Sequence, residues 1–85
     1  MSIFSQKLWG YVENASMKVA TLSRLSGVER SYIQKMLSGE RLPKEYSILL
    51  RLAEGLMLTP AESSSLRDAY EISKMGESVY SRHMA

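Results

Sequence analysis

Four hydrogen-bonding side chains, Arg30, Ser31, Gln34 and Lys35, lie close together in the chain, and a helix over residues 29–37 would turn them to one outward face. Base edges in the major groove of duplex DNA display donors and acceptors that such groups can read. An arginine fork spans two acceptors on guanine, and a glutamine amide pairs two-fold with adenine. Each residue also has a plainer use: Arg30 can pair with Glu29 or Glu40 on the surface, and Gln34 can be an ordinary exposed helix position.

No other chemistry competes for this stretch. The chain has one histidine, His83, no cysteine, and no glycine pattern of the phosphate-cradling or dinucleotide-binding kind. Its serines include no nucleophile elbow, and one distal histidine cannot complete a Ser-His-acid set. We read the chain as non-enzymatic, with no catalytic residue, no metal site and no cofactor. Met17, Met36, Met57 and Met75 read as gap-filling core.

The elements that must present the row follow from apolar spacing. Phe4, Leu8, Tyr11, Val12 and Ala15 mark a first helix over 3–14, with Trp9 off that stripe. Ser16 is a suitable N-cap for a second helix over 17–25 that turns Leu22 and Leu25 inward, and Gly27 suits the turn after it. A third helix over 29–37 ends at Ser38 and Gly39. Pro43 fits the first turn of a fourth, which carries Tyr46, Leu49, Leu50, Ala53 and Leu56. Thr59, Pro60 and Glu62 spell a capping box that opens a fifth helix reaching about residue 75, with Leu66, Ala69 and Tyr70 inward. Gly76 reads as its C-cap, and residues 78–84 as a further helical turn or two carrying Val79 and Tyr80. No stretch alternates with period two, so the expected class is all-α. Residues 1–75 form one domain, and 76–85 a C-terminal extension read as the start of a longer protein or as a segment that folds on a partner.

Within this plan residues 19–36 have the mechanics of a helix-turn-helix. Leu22, Val28, Ile33 and Met36 fill the angle between two helices, Ser23 is small enough for a close crossing, and Gly27 makes the corner.

Charge agrees with a polyanion on this part of the molecule. The 85 residues carry a net charge of +2. Residues 16–51 hold seven bases (Lys18, Arg24, Arg30, Lys35, Arg41, Lys44, Arg51) against Glu29, Glu40 and Glu45, and residues 52–85 hold three bases against five acids. Apolar runs stop at three residues, as at Ile48 to Leu50, and the first ten residues lack the form of a secretion signal. With no cysteine, a reducing cytoplasm is the expected compartment.

The order Leu22-Ser23, Leu25-Ser26-Gly27-Val28, Ser31-Tyr32-Ile33, Met36, Gly39 and Pro43, followed by Leu49-Leu50-Arg51-Leu52-Ala53 and Leu58-Thr59, resembles the DNA-binding domain of Cro and phage-repressor type (XRE family) regulators. The resemblance covers residues 4–66. It implies a five-helix lambda-repressor-like helix-turn-helix bundle, bacterial or phage in origin, that binds double-stranded DNA as a transcriptional regulator. Arg30, Ser31, Gln34 and Lys35 fall on the family's base-reading positions. Ser16, Lys18, Tyr32, Ser38, Arg41 and Lys44 fall where the family contacts phosphate. Two positions depart from the pattern: Val19 stands where a phosphate-contacting Gln is usual, and Leu37 where a Glu is frequent.

One reading helix spans only a few base pairs, so a homodimer on two half-sites is expected, joined through the fourth-to-fifth helix region or the segment from Gly76 onward. A regulatory partner acting through the C-terminal region fits the same reading. The rival is a protein-interaction or antitoxin-like module that keeps the helix-turn-helix shape.

Overall fold

Five helices and no strand make up the described residues of the computed structural model, which covers the backbone of residues 2–84 and the side chains of residues 2–76. They are α1 (Ile3–Asn14), α2 (Val19–Ser26), α3 (Arg30–Ser38), α4 (Tyr46–Gly55) and α5 (Pro60–Met84). α1 packs on α3 and α5, α2 on α3 and α4, and α4 on α5. One core results, built from Phe4, Leu8 and Val12 of α1, Leu22 of α2, Ile33 and Met36 of α3, Leu49 and Leu52 of α4, and Leu66 and Tyr70 of α5. No described helix is long and apolar enough to cross a membrane.

The ends of the helices explain most of the boundaries. α1 starts at Ser2, whose Oγ accepts the Ser5 N–H at 3.0 Å, while Ser5 Oγ donates to the Ser2 carbonyl at 2.9 Å. The Phe4 N–H, one of the donors a helix start leaves over, reaches Ser73 Oγ of α5 at 3.0 Å. α1 closes with Ser16 in the left-handed region at φ 50°; the Ser16 N–H bonds Glu13 O at 2.9 Å and the Met17 N–H bonds Val12 O at 3.2 Å. The expectation that Ser16 caps α2 is therefore corrected. It terminates α1, and α2 begins two residues late with Lys18 at its N-cap. α4 ends by the same pattern, with Met57 left-handed at φ 56°. Among the described helix ends, only those of α2 and α3 use glycine for this turn, at Gly27 (φ 75°) and Gly39 (φ 88°).

α5 opens as expected: the Thr59 N–H donates to Glu62 Oε1 at 3.0 Å and the Glu62 N–H to Thr59 Oγ1 at 3.2 Å. It then continues through Gly76, which does not cap it. No proline follows to stop the chain, and a glycine costs a helix only about 1 kcal/mol. Val79, Tyr80 and His83 lie outside the described side chains.

Four expectations about placement and facing are corrected as well. Pro43 lies outside α4, buried in the connection, where its carbonyl accepts the Tyr70 hydroxyl at 3.2 Å. The inner stripe of α4 is Leu49, Leu52, Ala53 and Leu56, leaving Tyr46 and Leu50 exposed. In α2 the buried partner of Leu22 is Ser26, while Leu25 is 54% exposed. One contact accounts for the last two: Gly55 approaches so closely that a Cβ there would lie 3.0 Å from Leu22 Cδ1 and 3.2 Å from Ser26 Cβ. Small residues must face each other where α2 crosses α4, and this sets the rotation of both helices. Ala15, Met57 and Met75 are exposed rather than core.

Tyr70 ties α5 to the rest. Its ring meets Phe4 edge-on at 6.0 Å, its hydroxyl holds the α3–α4 connection, and the Lys74 ammonium lies 5.1 Å from the ring centroid.

Candidate nucleic-acid interface

α3 divides cleanly. Ile33, Met36 and Leu37 are buried, and Arg30, Ser31, Gln34 and Lys35 are all exposed. The four residues singled out for their hydrogen-bonding chemistry thus share the solvent side of one nine-residue helix. Ser31 Oγ donates to Glu29 Oε1 at 2.9 Å, which engages its proton and leaves the hydroxyl oxygen its acceptor capacity.

The corner before α3 is pinned by α2. Ser23 Oγ donates to the Val28 carbonyl at 2.6 Å, and Ser26 Oγ accepts the Val28 N–H at 3.2 Å, while the Val28 side chain is buried. Both polar groups of Val28 are therefore satisfied by serines one turn apart, and the direction in which α3 leaves the corner is set by hydrogen bonds as well as by packing. Size alone suggested a role for Ser23; its bond across the corner is visible only once the chain has turned back.

The connection after α3 is held against the helix in a similar way. Lys35 O accepts the Glu40 N–H at 3.0 Å, the Arg41 N–H at 3.3 Å and Ser38 Oγ at 3.0 Å. Tyr32 reaches forward: its hydroxyl donates to Leu42 O at 3.3 Å and accepts the Lys44 N–H at 2.9 Å. The hydroxyl placed by resemblance at a phosphate position is engaged with protein, and it fixes the segment that carries Arg41 and Lys44. Both of those bases are exposed.

At the other end of the site, Lys18 occupies the α2 N-cap and makes no side-chain bond to the first turn. An uncapped helix start of this kind offers backbone donors and a positive dipole end to an anion. Ser16 is exposed beside it at the end of α1. The structure thus assembles Arg30, Ser31, Gln34 and Lys35 on one helix face, with Ser38, Arg41 and Lys44 in the segment folded onto its C-terminal end. Lys18 and Ser16 stand at the start of the helix before it.

Beside this face lies a cleft of about 680 Å³ lined by Gln6, Trp9, Val19, Gln34, Leu37 and Ser38. Spacing along the chain gave no hint of it, because its walls come from three helices. Among the described residues no group of three His, Asp or Glu side chains is placed to hold a metal ion.

Comparison with protein-family models, curated proteins and solved structures gives no match.

Proposed function

We propose that this chain is a sequence-specific double-stranded DNA-binding regulator of the Cro and phage-repressor type, acting in a bacterial or phage-infected cytoplasm. α2 and α3 form its helix-turn-helix, within a lambda-repressor-like bundle. The observation that carries the reading is the division of α3, which buries its three apolar residues and leaves Arg30, Ser31, Gln34 and Lys35 as one exposed row.

In this reading α3 enters the major groove. Arg30 bonds guanine O6 and N7, Gln34 bonds adenine N6 and N7, and Ser31 and Lys35 add single bonds to neighbouring base edges. Phosphates on either side are held by Lys18 with the start of α2, and by Arg41 and Lys44. Tyr32 acts through the segment it tethers rather than by touching DNA. Two copies bind a palindrome, because one nine-residue helix covers too few base pairs to select a site alone.

Selection from random duplexes at low salt, followed by footprinting, tests the proposal. The expected result is enrichment of a palindromic motif whose half-sites are one helical turn apart. Absence of any enriched motif would favour the protein-interaction module instead.

A further inference from the structure

Three residues that the site does not account for converge on one place. Trp9 lies off the inner stripe of α1 and is 46% exposed, and Val19 and Leu37 are the two departures from the family pattern; all three line the cleft that Gln34 and Ser38 also line. Its lining carries no ionisable side chain. The charged residues next in the chain to lining positions, Lys7, Lys18 and Lys35, are all cations and all exposed. A neutral, largely apolar hollow whose lining residues have exposed cations as chain neighbours, and which shares Gln34 with the exposed face of α3, is complementary to a polyanion that presents an apolar surface between its charges. The nucleic-acid backbone has that form, with the C–H face of deoxyribose between successive phosphates.

We propose that this cleft is a sugar-packing subsite for the DNA backbone, in which Trp9 and Val19 cover a deoxyribose of the strand running past Lys18 and Ser38. The inference rests on the DNA-binding reading above and adds a non-ionic contact to it. Val19 supplies packing where an amide would supply a hydrogen bond, and Leu37 closes the floor of the cleft. Because the contact releases no counterion, its contribution is independent of salt and of base sequence. This separates it from the bases, whose effects follow salt, and from the reading row, whose effects follow sequence.

Trp9 is the only tryptophan of the chain, so its emission reports on the cleft directly. The test titrates the full chain with a selected duplex and with a scrambled duplex, across a salt series, for wild type, Trp9→Ala, Trp9→Phe and Val19→Ser, with helicity checked by circular dichroism. Both duplexes should change the Trp9 emission. Trp9→Ala should weaken both about tenfold, the scale expected when roughly 50 Å² of apolar surface no longer leaves water, with the slope against log salt unchanged. Trp9→Phe should retain most of the affinity, and Val19→Ser should lose less than Trp9→Ala. Unchanged emission and affinity, a reduced salt slope, or a loss confined to the selected duplex overturns this inference while leaving DNA binding intact. Emission that responds to phosphatidylglycerol vesicles and to neither duplex overturns it in favour of a membrane surface. A wild-type chain that ignores every duplex overturns both this inference and the reading beneath it.

Discussion

Replacing Gly55 with alanine should destabilise the protein, although the same change in an open helix would stabilise it. The new Cβ would stand 3.0 Å from Leu22 Cδ1, 3.2 Å from Ser26 Cβ and 3.3 Å from the Ser26 backbone nitrogen. Leu22 is fully buried and Ser26 nearly so, and the Ser26 backbone cannot move without shifting α2. Overpacking of this kind costs about 1–3 kcal/mol. Against it stands the helical preference for alanine over glycine, at most about 1 kcal/mol and smaller at the last residue of α4. The net expectation is a loss of about 1–2 kcal/mol, or roughly 5–15 °C in Tm for a domain of this size. Gly10 provides the internal control, since it lies within α1 and a Cβ there meets nothing within 4 Å. Gly10→Ala should raise stability by about 0.5–1 kcal/mol. Urea and thermal unfolding followed by circular dichroism would measure both. The two substitutions must differ in sign. If Gly55→Ala were as stable as wild type, the close α2–α4 crossing would be wrong, and with it the reason why Leu25 faces solvent. Since Ser26 also holds Val28, the Gly55 variant should lose DNA affinity even at temperatures where it remains folded.

The bases and the reading row should separate in binding assays: Arg41→Ala or Lys44→Ala should weaken all duplexes alike and lower the salt slope by about 1 each, whereas Arg30→Ala or Gln34→Ala should relax sequence choice at a cost of about 1–3 kcal/mol for the preferred site. Equal effects from both pairs would remove the roles assigned here. Tyr32→Phe deletes the hydroxyl that bonds Leu42 O and the Lys44 N–H, so unfolding should show a loss of about 1–2 kcal/mol and binding should weaken uniformly. A change in which bases are selected would instead place Tyr32 on the DNA. Met57→Gly relieves a left-handed backbone at an 84% exposed side chain, and should raise stability by about 0.5–1 kcal/mol in the same unfolding assay. A decrease would mean that the methionine side chain contributes contacts outweighing the strain.

Much of the candidate site was legible because its cues are local. A short helix that carries Ile33, Met36 and Leu37 has only one way to bury them, and Arg30, Ser31, Gln34 and Lys35 then face outward by the geometry of 3.6 residues per turn. Gly27 and Gly39 announced their turns because glycine tolerates positive φ without strain. Ser16 and Met57 adopt the same conformation with a Cβ, so nothing in their chemistry announced a left-handed residue, although apolar spacing alone ended α1 at residue 14. Tyr32 offered an aromatic at a suggestive position, but its partners lie ten and twelve residues on, across a connection whose path the sequence leaves open.

By itself the amino-acid order determined the helical class, the capping box at Thr59 and Glu62, the glycine corner before α3 and the polar row beyond it, since each depends on residues within about one turn of one another. Tertiary structure decided the rotation of α2 and α4, the tether from Tyr70 to Pro43, and the meeting of Trp9, Val19 and Leu37 around one cleft. An apolar stripe that can be drawn in two phases is resolved only by what packs against it. At α2 and α4 that was a glycine facing a serine 29 residues away.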